Sequence, residues 1–361
     1  MTMDANAAKQ AGVNLDAEDS EEVLVPGKIR RVSSFLDSAL EQARGRCTGA
    51  ERPVPLPWPK LAEAYGGGWW PGLHMIVGKP KSGKSQFTLQ AAFHAAQAGV
   101  PVLYVGLELG DLDIVARLAC LDDDVRGLER GKQRGIAWSE LYLGKLEEDV
   151  FDAVAANARK RLAELPLYLE VGGPHGWPYG YLYEVGADLR RRHPEGPAML
   201  VLDFLQIVGD AEEGGRRLDT RERVMHAAYA GRAVAREFGI TVVFVSSTAR
   251  DYYKRIDAAG NVGSEHALSI SKSAKEDGFE ASDPSSLMGT GKESGEVEYS
   301  CDTITVLCPQ RWPNPPPGQP RRPPPSGTKV RVALAGGRAV QPDFGELWFD
   351  GTCFGEGEKV E

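Results

Sequence analysis

Residues 78–86 read GKPKSGKSQ and follow directly on the apolar run LHMIV at 73–77. Gly78-Lys79-Pro80-Lys81-Ser82-Gly83-Lys84-Ser85 fits the spacing G-x-x-x-x-G-K-[ST] in full. Glycines at both ends let the backbone curl, so that successive N–H groups converge on phosphate oxygens. Lys84 reaches the β- and γ-phosphates as a point charge, and the Ser85 hydroxyl is placed for Mg²⁺. The context agrees with the motif: a buried strand runs in and a helix over Ser85–Ala98 runs out, ending at Gly99. ATP and Mg²⁺ are the expected ligands, with Gly78 through Gln86 as the binding segment. For Lys79 and Lys81 two readings stand side by side, extra phosphate contacts or solvated loop lysines.

From this loop the pattern can be followed outward. VPVLYVGLEL (100–109), LPLYLEV (165–171), AMLVLDFLQIV (198–208) and TVVFVSS (241–247) are short, nearly continuous apolar runs. Val224, Ala227, Ala228, Gly231, Val234, Ala235 and Phe238 mark a long amphipathic helix before the last of them, closed by Gly239. Strands apolar on both faces, alternating with helices, predict an α/β fold with a mostly parallel sheet covered on both sides. DTITVLC, KVRVALA and GELWFDG predict shorter C-terminal strands.

Two carboxylates stand where such a sheet binds ligands, at strand C-terminal ends. Asp203 closes Met199–Leu202 and is the second metal acid, acting through water. Glu108 ends a different strand and is placed to orient an attacking water at the γ-phosphate. An acid and a base on separate strands narrow the type of P-loop enzyme.

The residues then resemble a known family, the C-terminal motor domain of DnaB-type replicative helicases within the RecA-like ATPases. GGGWWPGLHMIVGKPKSGKSQ is similar to that family's first strand and P-loop. VLYVGLELGDLDIVARL resembles its strand ending in a catalytic Glu, and VLDFLQIV its metal-binding Asp followed by Leu-Gln. VFVSSTAR, GKESGEVEYSCDTITVL and VALAGGRAVQPDFGELWFDG resemble its sensor strand, its glycine-glutamate segment and its closing strands. The likeness spans residues 60–355. It implies an ATP-hydrolysing motor acting on single-stranded DNA in replication or an accessory process, built as a homo-oligomer, with a hexamer among its forms. It also implies that Arg338, between the last strands, enters the neighbouring copy's nucleotide pocket, where a guanidinium fork suits the developing phosphate charge. Ser247 stands where the family has glutamine, and Gly336 where it has lysine two residues before the arginine. Only an acidic tail precedes residue 27 in place of the family's primase-contact domain, so a phage, plasmid or accessory version is expected.

The 361-residue chain carries a net charge of −9. A broad basic face for nucleic acid is excluded by that balance, so contacts must come from local loops or from a ring that concentrates them. The polar stretch 250–298, predicted as a long loop or pair of loops, supplies Arg250, Lys254, Arg255, Lys272, Lys275 and Lys292 as the candidate cations. Residues 309–327, PQRWPNPPPGQPRRPPPSG, form a polyproline insertion, either a docking segment for a protein partner or a plain surface insertion. Residues 1–26 predict a disordered acidic tail and 356–361 a short one. Residues 27–59 predict a linker helix with its apolar stripe at Val32, Phe35, Leu36, Ala39, Leu40 and Ala43, capped by Ser33 or Ser34 and ended by Gly45, then a proline-stiffened linker. That stripe docks either on its own domain or on a neighbouring subunit. The five cysteines include no CxxC pair and predict reduced thiols in the cytoplasm. No apolar run approaches the ~18–20 residues that span a bilayer.

The alternative reading is a RecA-like regulatory ATPase, a nucleotide-gated binding module for a protein partner. A P-loop kinase or small-molecule transferase is the third, but the lid of clustered arginines it requires soon after the P-loop helix is not supplied: Arg190-Arg191-Arg192 lies far along the chain.

Overall fold

A computed structural model describes residues 31–122, 129–130, 133–171, 177–178, 180–208, 212–213, 216–262, 279–288, 300–310, 327–337 and 340–356. The chain divides into two units, residues 1–52 and 53–361. The first holds helix α1 (Ser33–Thr48). No serine side chain caps it: Val32 is the N-cap, and the Ser34 hydroxyl donates back to Arg31 O. The helix runs through Gly45 and stops at Gly49, whose φ of +74° is the left-handed conformation that closes helices. Phe35, Leu36 and Leu40 are exposed, and none of its residues is buried.

The second unit is built on one sheet. Its strands are β1 (Gly72–Gly78), β2 (Val102–Gly106), β3 (Leu167–Val171), β4 (Met199–Asp203), β5 (Thr241–Ser247), β6 (Thr303–Pro309), β7 (Thr328–Gly337), β8 (Asp343–Phe349) and β9 (Phe354–Gly355). The nine strands lie in the order β9-β8-β7-β6-β1-β5-β4-β2-β3. Every pairing from β6 through β1 to β3 is parallel, and β6-β7-β8-β9 pair antiparallel. The expected α/β architecture is therefore present, with its closing strands.

Side chains alternate across a strand, so a strand buried on both sides reads as an unbroken apolar run. In β1, Leu73, Met75 and Val77 join one core cluster and Ile76 the other. The first cluster packs under α7 (Tyr181–Arg192), α8 (Thr220–Phe238) and α9 (Tyr253–Gly260). The second packs under α3 (Lys84–Gln97), with α2 (Pro59–Ala64) and α4 (Asp111–Ala119) beside it. Between α4 and β3 come the short α5 (Trp138–Tyr142) and α6 (Glu148–Leu162). An Asp219–Glu222 capping box starts α8, and Gly239 at φ +58° ends it.

Three local expectations are corrected. Val54, Leu56 and Trp58, read as a stiff linker, are buried, because Val54 pairs with Trp69 and the Trp58 ring stacks on Phe87 at 4.2 Å. β3 is an edge strand, with Tyr168, Leu169 and Val171 exposed, although its residues are as apolar as those of its neighbours. The stretch read as loop from 250 opens with a turn over Arg250–Tyr252 and then α9, which buries Ile256, Ala258 and Ala259. Its small residues let the backbones approach: a Cβ on Gly260 would meet Pro309 O at 2.6 Å.

Candidate active site

The loop 79–83 turns from β1 into α3. Gly83 is the N-cap of α3 at φ +88°, and a Cβ there would lie 2.7 Å from the Phe354 ring. A Cβ on Gly78 would meet the Ser82 hydroxyl at 2.5 Å. Both glycines are thus required by space, and Gly83 by conformation as well. Lys81 takes a left-handed φ of +64° and is exposed. The Lys84 Nζ donates to Gly78 O and Lys79 O, 3.0 Å each, folding over the loop's own carbonyls.

Asp203, at the end of β4, is 1% exposed. The Ser85 hydroxyl hydrogen-bonds its carboxylate, and the Tyr104 hydroxyl donates to Oδ2 at 2.8 Å. Burial pushes the Asp203 carboxyl above its ordinary range, opposed by those two hydrogen bonds and by Lys84. Burial likewise pushes the Lys84 amine down, opposed by the charges of Asp203 and Glu108. Glu108 lies just past β2 and is exposed. Three sequence-selected residues, Lys84, Ser85 and Asp203, are therefore in mutual contact or close electrostatic range, with Glu108 near enough to act on both charges.

The other selected residues lie elsewhere. Lys79 forms a salt bridge with the buried Asp257 of α9, its amine 5.6 Å from the Tyr253 ring centre. Gln86 is buried and accepts from Arg117 Nη1 at 3.0 Å; that guanidinium stacks 3.6 Å over Trp138. Pro80 is exposed at the loop tip. Arg250 and Lys254 are exposed, and Arg255 sits over the Tyr252 and Phe279 rings at 5.0 and 5.6 Å. Arg338, Lys272, Lys275, Lys292 and most of the polyproline insertion lie outside the described residues.

Sequence reasoning passed over Tyr104 and Arg117, and placed Gln206 in the family-like run after Asp203 without a role of its own. Tyr104 sits inside an apolar strand, and its one signal was a polar-tipped ring in a run with no other polar atom. Gln206 Nε2 donates to the Ser246 hydroxyl at 2.8 Å, and its Oε1 accepts from Ser247 N at 3.4 Å. A glutamine side-chain amide thus reaches the end of β5, where Ser247 carries only a hydroxyl; it comes from the turn after β4.

A model of the DnaB-like helicase C-terminal domain matches residues 58–263. The chain belongs to that family. Among solved structures it is similar to the ATPase domain of the G40 protein, at a TM-score of 0.62 and 16% identity over 88% of this chain and 97% of that one. It is also similar to a DnaB-like replicative helicase solved for its interactions with primase, at a TM-score of 0.60 and 16% identity over 97% of this chain and 70% of that one. No curated protein matches the chain. Membership of the DnaB-like family supports a RecA-like ATPase motor using nucleotide and Mg²⁺. The residues present fit those groups. Ser82 Oγ is buried with no partner, the first N–H groups of α3 open onto the loop, and a cation and an anion flank it. Among the described residues no helix is long and apolar enough to cross a membrane.

Proposed function

We propose that this DnaB-like chain hydrolyses ATP to move along or separate strands of DNA, gripping single-stranded DNA within a homo-oligomeric ring. The observation that carries the reading is the convergence of Lys84, Ser85, Asp203 and Glu108 from the C-terminal ends of three parallel strands. In this reading the backbone N–H groups of Lys81 and of Gly83 through Ser85, with the Lys84 amine, bind the triphosphate. Ser85 and Asp203 would hold Mg²⁺, which when bound neutralises charge across the phosphate oxygens. Glu108 orients a water and accepts its proton at a carboxylate oxygen. Exposure suits that task, since it leaves room for the water, whereas the buried Asp203 stays fixed by two hydroxyls. Arg338 of an adjoining copy completes the charge stabilisation.

Basic side chains at 250–255, with Lys272, Lys275 and Lys292, line the nucleic-acid path. A ring of copies concentrates them and offsets the acidic total locally. The test is ATPase activity at low salt with and without single-stranded DNA, alongside strand separation on a forked substrate and solution mass with and without ATP. Stimulation by DNA, with unwinding and a ring-sized mass, is expected. Hydrolysis indifferent to DNA, with a protein captured only in ATP, supports the regulatory-module reading instead; Ser247 and Gly336, in place of an amide and an amine, favour that outcome.

A further inference from the structure

Asp203 ends β4 with β2 as its neighbour, and the residue directly across from it is Gly106. Glycine offers no side chain, so the first polar atom that β2 can bring to the carboxylate belongs to Tyr104, two residues back on the same face. Its hydroxyl lies 2.8 Å from Asp203 Oδ2 and 3.4 Å from Thr88 Oγ1. Thr88 is on α3, one turn after Lys84, and its hydroxyl also reaches Lys84 O and Ser85 O at 3.1 Å each. Tyr104 is 0% exposed, so water cannot stand in for either partner.

From this geometry we infer that Tyr104 is a positioning residue for the metal-binding carboxylate: its phenol clamps Oδ2 of Asp203 so that the remaining lone pairs face Ser85 and Mg²⁺. A carboxylate has two oxygens and about four acceptor sites. Without the phenol only the Ser85 hydroxyl holds it, and one buried oxygen loses its donor. With the phenol in place the side chain has one orientation, and the same hydroxyl keys that orientation to the first turn of α3, which carries Ser85. A hydroxyl satisfied by any nearby carbonyl would fill the core equally well. The strand places it on the buried acid of this pocket, Asp203, instead. The inference rests on the reading of Asp203 as the metal acid.

The test is equilibrium binding of a fluorescent ATP analogue, titrated with Mg²⁺ and repeated in EDTA, for wild type, Tyr104→Phe and Asp203→Asn. In the wild type Mg²⁺ tightens binding, and Asp203→Asn removes that gain. Tyr104→Phe keeps the ring and is expected to raise the Mg²⁺ needed for half-maximal tightening roughly tenfold, the lower end of losses from residues behind metal ligands. Its affinity in EDTA is expected to match wild type. A variant that is less thermostable yet has an unchanged Mg²⁺ titration shows a merely structural tyrosine and overturns the inference. If Asp203→Asn also keeps the full Mg²⁺ gain, the assignment of Asp203 itself is what fails. Should the phenylalanine variant not fold, a ring-fluorinated tyrosine placed at 104 retains the hydroxyl. Its fluorine resonance is expected to move when Mg²⁺ is added to the nucleotide complex, and a resonance that stays still overturns the inference.

Discussion

The two halves of the sheet on either side of β1 do different work. The parallel half, β1 with β5, β4 and β2, ends in Lys84, Ser85, Asp203 and Glu108, and its buried polar groups point at one another. The antiparallel half, β6 to β9, brings aromatic bulk and backbone under α3. Phe354 stacks on Phe349 at 4.2 Å and meets Phe87 edge-on at 5.6 Å. Its backbone exchanges two hydrogen bonds with the Gln90 side chain, 2.7 Å each, and its carbonyl accepts from Trp58 Nε1 at 3.1 Å. Because Phe354 also lies under Gly83, the last strand props up the turn from which Lys84 departs. Chemistry and bracing are divided by strand direction: parallel strands bring their C-terminal ends to one edge, where side chains can meet a ligand, and an antiparallel ribbon does not.

That division can be broken by mutation. The largest effect is expected from Glu108→Gln, which lowers kcat by about 10²–10⁴-fold while nucleotide affinity and melting temperature hold; a loss of affinity of similar size, read by equilibrium titration, erases the contrast. Phe354→Ala is expected to do the reverse, costing about 3–5 kcal/mol of stability in chemical denaturation as a buried ring is lost. The turnover of its folded fraction changes little in comparison with Glu108→Gln.

The third test lies at β1, the seam. His74 is fully buried between Thr303 Oγ1 at 2.7 Å and Trp70 O at 2.8 Å. Burial lowers its pKa from 6.5 to about 4, against the pull of the Trp70 carbonyl and Asp302. Between those values the unfolded chain binds the proton and the folded one does not. Stability is therefore full above the unfolded value and falls as pH drops toward about 4, by about 3 kcal/mol in total. His74→Gln is expected to flatten that limb of a stability–pH curve. The smallest effect is expected from Gln90→Leu, about 1–3 kcal/mol, because the Phe354 N–H loses its acceptor while its carbonyl keeps the Trp58 donor; a nucleotide affinity that falls along with the melting temperature shows the brace acting on the loop it supports.

The site was legible where its spacing is local. Eight consecutive residues identify the phosphate loop, since one short turn must carry two glycines, a lysine and a hydroxyl. Asp203 and Glu108 were legible because strand ends are marked by where an apolar run stops. Tyr104, Gln206 and the Lys79–Asp257 salt bridge were not. Their partners are separated by 99, 40 and 178 residues, and only strand order joins them. Lys79 illustrates this: from its place in the loop it reads as a phosphate contact or as a solvated lysine, yet an acid on α9 holds its amine.

From its residues alone this protein was committed to a parallel α/β sheet with a nucleotide turn after the first central strand, because apolar periodicity and tight-turn chemistry act over a few neighbours. Tertiary structure decided which apolar strand became the edge, that Val54, Leu56 and Trp58 belong to the core, and which hydroxyl and amide reach Asp203 and the end of β5. Those outcomes depend on burial and on contacts between distant strands, and no local pattern encodes which two strands will be neighbours.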